Sequence, residues 1–140
     1  VSVRVSVTSR PISVDSAIKD VSSSDVGGIA VFVGTVRGTS AGARRITALE
    51  LEAARDLARA DLERIAKTAV REHEVSNICV RHRVGRLKVG DAIVVVAVGA
   101  PHRKDAFAAC RFIIDELKKT TPIWKKECGR GFEHWVEPER

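Results

Sequence analysis

Leu117-Lys118-Lys119-Thr120-Thr121-Pro122-Ile123-Trp124-Lys125-Lys126-Glu127 is the stretch on which the fold turns. Upstream of it, Ala106, Phe107, Cys110, Ile113, Ile114 and Leu117 recur at three- and four-residue spacing, the mark of an amphipathic helix. Pro122 has no N–H to continue that helix, and it pushes Thr121 toward extended geometry. The second lysine pair therefore falls on a short strand. A helix end and a strand start joined by so tight a bend bring Lys118 and Lys125 toward one pocket. At about 100° per residue, Lys118 projects roughly 80° from the centre of the apolar stripe, at the rim of the core. Lys119 turns further toward solvent. Ammonium groups gathered in a half-dry pocket repel one another, which makes a neutral, nucleophilic amine accessible near pH 7 and makes a site for an anion. A solvated basic surface is the competing reading of the same four lysines.

Outward from this bend, the helix is expected over Arg103–Lys119. It follows a near-continuous valine strand, Ala92–Ala100, of the kind found at the centre of a sheet. His102 and Arg103 stand where that strand ends and the helix begins, a place where outward-pointing N–H groups gather anions. His102 read as a plain helix-start residue is the alternative. After the bend, Gly129-Arg130-Gly131 reads as a hairpin turn into a last strand, Phe132–Val136, with a polar tail from Glu137 to Arg140.

Earlier in the chain, Val1–Thr8 alternates as a half-buried strand, and Ser13 caps a short helix through Val21. Gly27–Arg37 reads as a strand buried on both faces. It opens into a small, glycine-rich, mobile loop, Gly38-Thr39-Ser40-Ala41-Gly42-Ala43. Arg37 at its mouth is either an anion clamp or an exposed strand end. Arg45–Glu52 is expected as a strand and Ala53–Glu74 as a long helix. Ala58, Leu62, Ile65, Ala66 and Ala69 share that helix's packing face. Asn77–Val84 is a further strand, and Arg86–Asp91 a turn.

The chain has 140 residues, the size of one domain with a real core. A net charge of +6 points to acidic partners: nucleic acid, a phosphorylated small molecule or an acidic protein. Aromatics are sparse and tyrosine is absent, which argues against stacking on single-stranded nucleic acid. No apolar run is long enough to cross a bilayer, and no signal peptide is visible. The cysteines, Cys79, Cys110 and Cys128, are odd in number and widely spaced, neither a disulfide framework nor a metal site. Cys79 and Cys110 fall on apolar positions as buried thiols, and Cys128 adjoins the lysine stretch. A reduced, cytoplasmic setting fits, without a membrane partner.

Several short motifs occur together in a fixed order: Phe32-Val33-Gly34-Thr35-Val36-Arg37, Leu49-Glu50-Leu51-Glu52, His82-Arg83-Val84-Gly85 and Val89-Gly90-Asp91. Ala100-Pro101-His102-Arg103 with Ala106-Phe107 follows, then Leu117-Lys118 through Pro122-Ile123-Trp124-Lys125-Lys126-Glu127, and Trp135 closes the set. In this order and spacing the chain resembles the family of large, catalytic subunits of molybdopterin synthase over nearly its whole length.

The resemblance implies an α+β protein, an α/β-hammerhead with an additional antiparallel sheet and two main amphipathic helices. It implies a homodimer, each copy receiving a small ubiquitin-like sulfur-carrier subunit to give a heterotetramer. The carrier ends in a Gly-Gly thiocarboxylate, whose sulfur goes onto cyclic pyranopterin monophosphate to make molybdopterin. It also implies a substrate site at Thr35, Val36, Arg37, His102, Arg103, Lys118, Lys125, Lys126 and Glu127, with Lys118 and Lys125 catalytic. No cofactor and no metal are implied, since the partner brings the sulfur already activated. A non-catalytic basic module binding a nucleotide or RNA is the rival from another class; the lack of a recognised nucleic-acid motif counts against it.

Overall fold

The computed structural model describes residues 1–40 and 42–137. Ala41 of the expected glycine-rich loop and residues 138–140 of the expected polar tail lie outside them. Eight strands form two four-stranded sheets, with three helices against the first. The first sheet has the order β1 (Ser2–Thr8), β4 (Asn77–Arg83), β6 (Ala92–Ala100), β2 (Gly28–Thr35). Only the β1–β4 pair in it is parallel. The second sheet is antiparallel throughout, in the order β5 (Gly85–Lys88), β3 (Ala48–Ala53), β7 (Ile123–Gly129), β8 (Phe132–Trp135). This is the α+β architecture the sequence leads one to expect.

Burial explains the valine run. On β6, Val94, Val96 and Val98 face one side of the sheet and join α2 (Arg55–Glu72) and α3 (Arg103–Thr120) in the main core. Val95 and Ala97 face the other side and meet Ala17 and Val21 of α1 (Val14–Val21). A strand covered on both faces has no polar side to show. The α1 helix starts where the cap predicts, with the Ser16 N–H donating to the Ser13 hydroxyl at 3.1 Å. A third, smaller core of Val36, Leu49, Leu51 and Leu87 fills the second sheet's inner face. Ile93 packs against both this core and the main one, so it marks the seam between the sheets.

Three expectations give way. The strand β2 is not buried on both faces. It is the edge of its sheet, and Ile29, Val31 and Val33 are each more than a third exposed on the α1 side. The α1 helix is too short to reach across that edge, so the face stays open. Arg86–Lys88 belongs to strand β5 rather than to a turn, with Leu87 opposite Leu49; the turn is confined to Val89 and Gly90. Phe107 is exposed, and Ala109 takes its place on the buried stripe of α3. On either side of Ala41, the Ile46 N–H donates to the Gly38 carbonyl and the Arg44 N–H donates to the Ser40 hydroxyl.

Among the described residues, no helix is long and apolar enough to cross a membrane. Nor do any three or more His, Cys, Asp or Glu side chains among them cluster so as to hold a metal ion.

Candidate active site

The bend between α3 and β7 forms as the sequence dictates. Thr121 caps the helix in an extended conformation, its N–H donating to the Leu117 carbonyl. The Ile123 N–H then donates to the Thr121 carbonyl at 2.8 Å, closing a three-residue turn centred on Pro122. Proline suits that centre, because its fixed φ is close to what an inverse γ-turn asks for. The chain reverses in a single residue, and Lys118 and Lys125 end on the walls of one cavity of about 580 Å³.

That cavity lies at the seam of the two sheets. Phe32, Gly34, Ile93, Val94, Ile114 and Leu117 make its apolar wall. Its charged rim holds Arg37, Lys118, Lys119 and Lys125 against one carboxylate, Glu137, with Thr35 beside them. Lys118 is exposed at the mouth and Lys125 is half-buried. Lys119 also reaches the mouth, where its ammonium stands 3.4 Å from Glu116. A smaller recess of about 70 Å³ adjoins it, shared by Thr35, Val36, Arg37, Lys125 and Glu127. Five sequence candidates thus meet around one recess, and Lys118 faces the larger space next to it.

Strand alternation separates the second lysine pair. Lys125 and Glu127 point to the inner face, whereas Lys126 points out. There its ammonium lies 2.9 Å from Glu50 and 3.4 Å from Glu133, and above the Trp135 ring. Arg86 completes this outer ladder at 2.8 Å from Glu50. Hydrogen bonds from Lys126 and Arg86 hold the Glu50 carboxyl below the usual range. Buried Cys128 lies on the same outer side, its sulfur 3.8 Å from the Arg86 guanidinium. His102 and Arg103 are exposed at the first turn of α3. At about 1.5 Å per residue, Arg103 lies roughly 22 Å along the helix from Lys118, so one copy of the chain does not bring them to this cavity.

Two site residues escape a reading of the sequence. The first is Asp61 on α2. Its Oδ2 accepts hydrogen bonds from the Thr120 and Thr121 hydroxyls at 2.7 and 2.8 Å, and its Oδ1 accepts from Arg64 at 2.8 Å. Burial pushes the Asp61 carboxyl up, but the bonds from Thr120, Arg64 and Thr121 outweigh it and leave the pKa lowered. Asp61 therefore ties α2 to the bend that carries both lysines.

The second is His82. It sits on β4 after Ile78 and Val80, on the face that packs against α3, and it is 5% exposed on the cavity lining. Its Nδ1 lies 2.8 Å from the Arg83 carbonyl. A carbonyl only accepts, so Nδ1 carries the proton and Nε2 keeps a lone pair. Burial pushes the imidazole down to about 4, helped by the charges of Lys118 and Lys125 and opposed by the Arg83 carbonyl. At neutral pH His82 is uncharged. The alternation Ile78, Val80, His82 and the motif His82-Arg83-Val84-Gly85 are the sequence signals that could have pointed to it.

Comparison with known proteins gives the family. The MoaE protein family matches residues 7–120. The molybdopterin synthase catalytic subunit of Pyrococcus abyssi is 39% identical over 139 residues, covering 98% of this chain and 93% of that one. The crystal structure of molybdopterin synthase from Staphylococcus aureus superposes with a TM-score of 0.90 at 30% identity, covering 94% of this chain and 96% of that one. A complex of subunits 1 and 2 of molybdopterin-converting factor from Helicobacter pylori shares the fold, with a TM-score of 0.75 at 19% identity, covering 96% of this chain and 90% of that one. Family match, identity and fold agree over nearly the whole length: the chain belongs to the MoaE family of molybdopterin synthase catalytic subunits, enzymes of molybdenum cofactor biosynthesis.

Proposed function

We propose that this chain inserts sulfur into cyclic pyranopterin monophosphate to make molybdopterin, taking it from the thiocarboxylated Gly-Gly end of a small ubiquitin-like carrier in the cytoplasm. The observation that carries the reading is the convergence of Arg37, Lys118 and Lys125 on one cavity of about 580 Å³, of the size that takes a fused-ring ligand with an incoming peptide end. Both reactants are anionic, and the cavity rim sets four cationic side chains against one carboxylate. No resident cofactor is called for, because the sulfur arrives on the partner.

In this reading the carrier's sulfur attacks an electrophilic carbon of the pterin side chain. Water then attacks the acyl carbon, leaving the sulfur on the pterin and releasing the carrier as a carboxylate. Two carriers are consumed per product. Lys118 acts beside the acyl carbon as acid/base or stabilises its oxyanion, and Lys125 protonates or orients the oxygen leaving the substrate. Glu127 shares the small recess with Lys125 and orients it. Thr35 and Val36 shape that recess, and Lys126 braces β7 through Glu50.

A homodimer supplies what one copy lacks. The open edge of β2 carries the apolar patch of Ile29, Val31 and Val33. One end of β2 abuts α3: a Cβ on Gly28 would stand 3.4 Å from the Arg103 Cα. The other end, Thr35, opens onto the cavity. Two copies paired edge to edge about a two-fold axis run antiparallel, which sets the Gly28 end of each beside the Thr35 end of its mate. His102 and Arg103 of one copy then join Arg37 of the other as the phosphate site. With a carrier on each copy, the assembly is a heterotetramer.

The test is molybdopterin formation from thiocarboxylated carrier with Lys118→Ala and Lys125→Ala. Loss of an oriented acid/base group should lower turnover on the order of 100-fold or more. Near-normal turnover in both variants would end the assignment.

A further inference from the structure

The cavity is rich in donors. Arg37, Lys118, Lys119 and Lys125 can only donate; exposed Glu137 offers a carboxylate and Thr35 a hydroxyl, and most of the remaining lining is hydrocarbon. The Thr121 hydroxyl is committed to Asp61 as a donor. In the wall, buried His82 is fixed as the Nδ1–H tautomer by the Arg83 carbonyl, which leaves Nε2 as the basic nitrogen of a residue that lines the cavity. A carboxylate at this position would attract the nearby lysines and cancel the cationic field. An apolar residue would leave a ligand's buried N–H groups without a partner, at a cost in affinity. A neutral imidazole avoids both.

We propose that His82 is a ligand-binding residue for the heterocycle, its Nε2 accepting a hydrogen bond from a ring N–H or amino group of the bound pterin. The inference rests on the pterin reading above and adds to it the residue that recognises the ring rather than the phosphate. The lysines and Arg37 handle anionic groups, which many metabolites carry. His82 selects for a flat ring with a donor edge, and its low affinity for protons keeps it in the accepting form across the physiological range.

The experiment uses equilibrium binding to the whole chain in complex with its carrier, read by isothermal titration calorimetry. Two probes are compared: dihydroneopterin monophosphate, with ring and phosphate, and ribose 5-phosphate, with phosphate alone. The His82→Leu variant should weaken the pterin probe by roughly tenfold or more and leave the sugar phosphate unchanged. His82→Gln, whose amide oxygen reaches the Nε2 position, should recover much of the loss. Thermal melts of both variants verify that the comparison is between folded proteins.

Equal affinity of wild type and His82→Leu for the pterin probe overturns the inference. So does equal weakening of both probes by His82→Leu, which reports general damage to the cavity. Failure of the wild type to bind the pterin probe at all would instead overturn the pterin reading on which the inference stands.

Discussion

Asp61→Ala tests whether the tie between α2 and the lysine-bearing bend has the weight its geometry implies. The variant removes an acceptor that takes the Thr120 and Thr121 hydroxyls at 2.7 and 2.8 Å. Hydrogen bonds to a charged acceptor contribute about 1.5–3 kcal/mol each. Thr120 recovers part of its share, because its hydroxyl also reaches the Glu116 carbonyl at 3.2 Å. The Arg64 pair adds little: that guanidinium is 54% exposed, and such pairs contribute at most about 1 kcal/mol. The net loss should be about 3 kcal/mol, a fall in Tm of about 10 °C for a chain of this length.

The Asp61 pKa is lowered in the folded state, so its contribution is complete above the ordinary carboxylate range and is lost as pH falls through the folded value. The gap between wild type and variant should be full at pH 7 and close on acidification. Turnover at 25 °C, where both are folded, should drop about tenfold or more, since Lys118 and Lys125 lose their fixed relation. Asp61→Asn, which still accepts from the hydroxyls, should fall between the two. A Tm within about 2 °C of wild type in the alanine variant would refute the reasoning, for then the tie carries no strain from the bend.

Other consequences are open to the same kind of measurement. The His82 pKa is about 4 folded against 6.5 unfolded, so its contribution is complete above pH 6.5 and lost as pH falls toward 4. The loss is about 3 kcal/mol, and denaturant titrations should show it in wild type and not in His82→Gln. Val31→Glu places a charge in the open patch of β2, and analytical ultracentrifugation should find the wild type dimeric and the variant monomeric. Gly131 turns the last hairpin at φ 78, with nothing near the position of a Cβ. Gly131→Ala should therefore cost only backbone strain, about 1 kcal/mol, seen as a small drop in Tm.

The sequence carries some of this architecture on its face and hides the rest for identifiable reasons. Local rules sufficed for α1, β6 and α3, where a cap, a valine run and a 3–4 stripe each admit one reading. They also sufficed for the meeting of Lys118 and Lys125, because Pro122 fixes the bend within three residues. The exposure of β2 was illegible, since an apolar run looks the same whether helices or a second copy cover it. Arg86–Lys88 reads as a turn for want of hydrophobic alternation in so short a strand. The roles of Asp61 and His82 depend on neighbours far away in sequence; Asp61 meets Thr120 across 59 positions. His102 and Arg103 read as anion-gathering from their place at a helix start and are joined to the lysines only through resemblance, and a single copy of the fold places them at the far end of α3.

Adjacent lysines at 125 and 126 carry a consequence for how the fold guards its chemistry. Sliding β7 by one position against β3 would present a lysine to the cavity either way, so the lysines themselves cannot tell the correct pairing from the shifted one. Their neighbours can. A slip would turn Trp124 and Cys128 in toward Leu49 and Leu51 and expel Ile123 from the seam. Proofreading of which amine faces the cavity thus falls to the flanking apolar side chains, which carry no charge of their own.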